Sequence, residues 1–63
     1  MTQNGCSIQA QISEVEREIA MRLRVYPGLV FRRKMKQGEA DMHLAIMRAA
    51  LETLIAVRDG VRP

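Results

Sequence analysis

Apolar residues recur along the first part of the chain at Ile8, Ile12, Val15, Ile19 and Leu23, in steps of four, three, four and four. At ~100° per residue these positions share one helix face. The opposite face carries Gln9, Gln11, Glu14, Glu16, Arg17, Glu18 and Arg22. The spacing predicts an amphipathic helix over residues 7–25, opened by Ser7, whose hydroxyl can take up a free backbone N–H. Glu14 with Arg17, and Glu18 with Arg22, fall at helical pairing distance with the acid first, as the helix dipole favours.

The second pattern is denser. Residues 39–59 contain neither Pro nor Gly and predict a helix of about five turns. Its apolar residues make two faces. Ala40, Leu44, Met47, Leu51, Leu54 and Ile55 form the first; Met42, Ile46, Ala49, Ala56 and Val57 continue round the back. Only a narrow strip with Asp41, Arg48, Glu52 and Asp59 is polar. A helix apolar over most of its circumference has to be covered over most of it. The preceding 38 residues can cover one side. The other face, Met42, Ile46, Ala49, Ala56 and Val57, is therefore expected to be an interface with further copies of the chain, a dimer foremost.

Between the two patterns, Tyr26-Pro27-Gly28 is expected to end the first helix. A residue before proline avoids the α region, and glycine permits a sharp change of direction. Pro27 could also open a short third helix, with Val30 or Phe31 and Met35 tucked beneath the long ones. Gln37-Gly38 makes the second break, and Gly60 suits the position after a helix end. The expected layout is an arm (1–6), helix 1 (7–25), a basic connector (26–38), helix 2 (39–59) and a tail (60–63). That is one all-α domain, an antiparallel helical hairpin with a bent connector, assembling into a helical-bundle homo-oligomer.

Size strengthens the case for assembly. A chain of 63 residues buries only ~60% of the surface its unfolded form exposes, and small chains add disulfides, a metal or self-association. One cysteine and one histidine provide neither an internal disulfide nor a four-ligand zinc site. Self-association remains. With 48% apolar and 27% charged residues the chain is globular in composition. Its N-terminus lacks the pattern of a signal peptide, and charges interrupt every apolar stretch before the ~18 residues a membrane span needs. A cytoplasmic protein is expected, with no membrane partner.

The net charge of +3 is unevenly placed. Arg32, Arg33, Lys34 and Lys36 put four cations within five residues at the tip of the hairpin. Such a cluster attracts a nucleotide, a nucleic-acid backbone or an acidic protein surface, with Tyr26 or Phe31 as a stacking ring. The plainer reading is a solvated connector that keeps the protein soluble. Sequence-specific recognition has little support, because there is no Gly-rich phosphate loop and there are only two aromatic rings. A helix-turn-helix reading fails because the first turn of helix 2 would present Glu39 and Asp41 to a polyanion. Glu39 could orient His43, four residues on, but no nucleophile accompanies that histidine, which reads as structural. Glu14, Glu16 and Glu18 point apart at spacing of two and form no acid/base pair. Met35, Met42 and Met47 serve as core filler or as an adaptable surface. No catalytic residue, metal site or cofactor is expected, and the chain reads as a non-enzymatic binding protein.

The elements Arg17-Glu18-Ile19-Ala20-Met21-Arg22, Arg24-Val25-Tyr26-Pro27, Val30, Lys34-Met35, Gln37, Glu39-Ala40-Asp41, Ala45-Ile46-Met47, Ala49 and Leu54 together resemble a group of short proteins encoded by bacteriophages and prophages of proteobacteria. Members usually carry Ser or Thr after the Lys-Met pair, where it would cap helix 2; here that position is Lys36. The resemblance implies an accessory protein acting inside a bacterial cell, by blocking a host enzyme, sequestering a nucleotide or assisting nucleic-acid handling. A structural subunit of a larger assembly is the remaining alternative.

Overall fold

In a computed structural model, which describes residues 6–60, the chain forms two helices, α1 (Ile8–Phe31) and α2 (Gln37–Arg58), packed against each other as a hairpin. They run antiparallel: Arg58 donates to the Gln9 side chain at 3.2 Å at one end, and Tyr26 meets His43 near the other. Residues 1–5 of the expected arm and 61–63 of the expected tail lie outside the described residues.

Helix α1 starts as its sequence dictates. The Ser7 side chain accepts from the Ala10 N–H at 3.0 Å, and the Ser7 carbonyl accepts from Gln11 at 3.0 Å. Glu14–Arg17 and Glu18–Arg22 both pair, at 2.8 and 2.9 Å. Of the predicted stripe, Ile12 and Ile19 are buried and Ile8 and Val15 half-buried, but Leu23, expected to share that face, is 47% exposed. On α2 only Ala40 is buried, where its small side chain allows close approach of the helices; Leu44, Met47, Leu51, Leu54 and Ile55 are half-buried. The contact between the helices is thus a single seam, and the molecule measures 44 × 25 × 13 Å. Its short dimension is about one helix diameter.

Three expected boundaries are corrected. Helix α1 does not stop at Tyr26-Pro27-Gly28 but runs through Pro27 to Phe31. Proline lacks the N–H that would reach the Leu23 carbonyl, yet its fixed φ is helical, and continuing the helix keeps Leu29 and Val30 half-buried. There is consequently no separate third helix, and Phe31, placed under the bundle in that reading, is 88% exposed. The connector contracts from residues 26–38 to 32–36. Helix α2 begins at Gln37, so Gly38 lies inside the first turn, and it ends at Arg58, with Asp59 as the cap and Gly60 at φ +76°. A glycine in the first turn interrupts little, because the N–H groups there have no intrahelical partner in any case.

Proline in a helix leaves a measurable debt. Pro27→Ala restores a donor to the Leu23 carbonyl and is expected to raise the stability of the hairpin by up to about 3 kcal/mol, read as the midpoint of thermal or urea unfolding.

Candidate functional site

The five residues between the helices form the site, and their backbone is fixed by hydrogen bonds. Arg32 N–H donates to the Gly28 carbonyl at 3.0 Å, Arg33 N–H to Val30 at 3.0 Å, and Lys34 N–H to Leu29 at 2.8 Å. The last two bonds span three and five residues, the pattern of a Schellman helix stop, which requires a left-handed residue at its hinge. That residue is Arg33, at φ +60°. The hinge usually falls to glycine, because a Cβ in this conformation crowds the following carbonyl at a cost of roughly 1–2 kcal/mol. Helix α2 ends on a similar hinge, with Gly60 N–H donating to Val57 at 3.2 Å, but there the hinge is glycine.

The far side of the turn shows the same departure. Lys36 occupies the cap position of α2, with extended backbone at φ −83° and ψ +147°. Its ammonium group accepts no hydrogen bond, so the usual bond from a cap oxygen to the first turn is missing. Half of a capping box survives: the Glu39 carboxylate accepts from the Lys36 backbone N–H at 3.2 Å. Glu39 is thereby spent on the turn rather than on orienting His43.

The four cations are exposed. Among the described residues, none of Arg32, Arg33, Lys34 and Lys36 has a carboxylate within ion-pair distance, whereas Arg17, Arg22 and Arg58 each pair with a neighbouring acid. The hydrogen bonds that Arg17 and Arg22 donate to the Glu14 and Glu18 carboxylates raise both guanidinium groups above their ordinary pKa and commit them locally. Within the turn, the Arg32 guanidinium folds back over Gly28, where a methyl group would sit 3.4 Å from its nitrogen. Arg33, Lys34 and Lys36, with Val30, Met35, Gln37 and Glu39, line an open groove of about 560 Å³. The free N–H groups at the start of α2 add the positive end of a helix dipole beside them.

The two predicted rings part company. Phe31 stands beside the cations and is 88% exposed. Tyr26 lies within α1, half-buried, its ring centroid 6.4 Å from that of His43 and tilted by 57°, with Arg22 donating to its hydroxyl at 3.3 Å. It lines a notch of about 260 Å³ between the helices, with Leu23, Pro27, Ala40 and Leu44, which adjoins the basic groove through Val30 and Gln37. His43, expected as a structural residue, is exposed on the rim of this contact. Sequence reasoning missed Arg33 as a hinge, since nothing in Arg32-Arg33-Lys34 marks a left-handed residue.

The predicted outer face of α2 is solvent-facing: Met42, Ile46 and Val57 are 60%, 58% and 59% exposed, Ala49 is exposed and Ala56 is half-buried. No described helix is long and apolar enough to cross a membrane, and the described residues contain no group of three or more His, Cys, Asp or Glu placed to hold a metal ion. No protein family, curated protein or solved structure matches the chain.

Proposed function

We propose that this chain is a non-enzymatic binding protein, working as a homo-oligomer, that offers the turn between its helices to an anionic ligand. One observation carries the reading. At both turn positions where the backbone favours another residue type, glycine at the hinge and an oxygen-bearing cap before α2, the chain holds a cation instead. Local strain retained without local benefit points to use. Cations that pair with no carboxylate among the described residues are free to meet one from outside, or a phosphate.

The exposed ring of Phe31 favours a nucleotide or single-stranded nucleic acid over an acidic protein surface. A base can stack on the ring while its phosphates lie among Arg33, Lys34 and Lys36. The phage-protein resemblance sets such binding inside a bacterial host, as nucleotide sequestration or as sequence-independent nucleic-acid handling; blocking a host factor would use the same cations on an acidic protein.

The strain argument makes an unusual forecast. The double variant Arg33→Gly/Lys36→Ser is expected to be the more stable protein, by roughly 1 kcal/mol for each change. It is also expected to bind single-stranded oligonucleotide more weakly, with the salt slope of binding smaller by about two. Thermal unfolding and a salt titration of binding read the two effects separately. Higher stability with undiminished binding of oligonucleotides and nucleotides would reduce the turn to a solubilising connector.

A further inference from the structure

We infer that a second copy of this chain docks on the outer face of α2 in the antiparallel sense, with the two basic turns at opposite ends of the dimer. The inference rests on the self-association stated above and adds the surface, the orientation and the register.

Charge polarity comes first. Residues 21–47, the half of the hairpin that holds the turn, contain six Lys or Arg against two Asp or Glu, a net of +4. The rest of the sequence, residues 1–20 and 48–63, contains four cations against five carboxylates, a net of −1. The hairpin is therefore dipolar along its length. Packed helices lie about 8–10 Å apart, close to the Debye length of roughly 8 Å at physiological salt, so neighbouring hairpins feel each other's charge. Parallel docking lays the positive half on the positive half. Antiparallel docking lays positive on negative.

Shape makes the same choice independently. Met42, Ile46, Ala49, Thr53 and Ala56 follow one another in steps of four, three, four and three, the heptad seam of a two-helix contact. Thr53 is no polar interruption, because its hydroxyl donates to the Ala49 carbonyl at 3.1 Å and leaves the methyl group for the seam. Side-chain size falls along this seam from Met42 and Ile46 to Ala49, Thr53 and Ala56, and the exposed Val57 flanks its far end. Parallel pairing would set Met42 and Ile46 on their own copies and Ala49 on Ala49, bulk on bulk beside a gap. Antiparallel pairing sets Ile46 against Ala49 of the partner subunit and Met42 against Thr53 of the partner subunit. Both pairings centre between residues 47 and 48, the midpoint of α2 as it runs from Gln37 to Arg58, so the whole length of the helix is used.

Engineered disulfides test this in the full chain, with Cys6→Ser removing the natural thiol. In the antiparallel dimer the two copies of position 42 lie about 16 Å apart along the axis, far beyond disulfide reach. In a parallel dimer they are adjacent. The variant Cys6→Ser/Met42→Cys/Thr53→Cys is expected to oxidise to a covalent dimer, while Cys6→Ser/Met42→Cys is not. Sedimentation of the unmodified protein, expected to show a dimer at micromolar concentration, provides the second reading. A compact monomer there would overturn both the docking and the self-association it rests on, leaving the anion-binding turn untouched. A dimer in which Met42→Cys alone cross-links would overturn the antiparallel arrangement only. A dimer in which neither variant cross-links would place the contact on another face.

Discussion

Replacing Arg32, Arg33, Lys34 and Lys36 together by alanine is expected to lower the affinity for single-stranded oligonucleotide on the order of 100-fold or more at moderate salt, and to reduce the salt slope by about three to four. The size follows from where these cations stand. None has a carboxylate of its own chain to neutralise it among the described residues, so a bound phosphate displaces only small counterions and the full release term is available. The same alanines leave the seam between the helices untouched, and the helical content and unfolding midpoint should stay close to those of the parent. A control at Arg17 or Arg22, each already held by a glutamate, should change binding little. Binding that survives the fourfold change with its salt dependence intact would remove the turn as the site.

Ile12→Ala carries the largest expected loss of stability. Ile12 is 1% exposed and is the only large side chain among the described residues buried to that degree. Truncating such a residue costs about 2–5 kcal/mol, depending on how far the surroundings collapse into the space. Small domains hold only about 0.05–0.15 kcal/mol per residue in total, so the loss rivals the whole stability of a chain of this size. The variant is expected to be largely unfolded at low concentration by circular dichroism. Because assembly stabilises the folded form by mass action, helicity should return as concentration rises. A variant as stable as the parent at low concentration would show that the seam around Ile12 is not what holds the hairpin.

The helical pattern, the antiparallel pairing and the inner face of α2 were legible because period and polarity agree over many residues, while Ala56, placed on the outer face, is half-buried. Ala40, Leu44 and Leu51 lie against α1, and Met42, Ile46 and Val57 do not, as their places on the wheel require. The ends of the helices were less legible. Tyr26-Pro27-Gly28 has the local chemistry of a stop, but one lost hydrogen bond weighs less than an extra turn that keeps Leu29 and Val30 partly out of water. The actual stop falls at Arg33, where a left-handed hinge is held by two carbonyls reached from Arg33 and Lys34. Such a hinge is a property of the closed turn, and without glycine it leaves no mark on the sequence. The cationic cluster itself was plain, whereas the separation of Tyr26 from it depended on the helix passing through Pro27.

The brevity of the turn also sets a tempo. With only five residues between α1 and α2, the partners in each contact near the bend are close neighbours along the chain. Closing a loop of about ten residues takes on the order of 10–100 ns, and helical proteins dominated by such local pairings fold within microseconds to milliseconds. The hairpin should therefore zip shut from its bend well before two copies meet at cellular dilution. Stopped-flow traces should then split into a prompt concentration-independent phase and a later one whose rate scales with protein concentration.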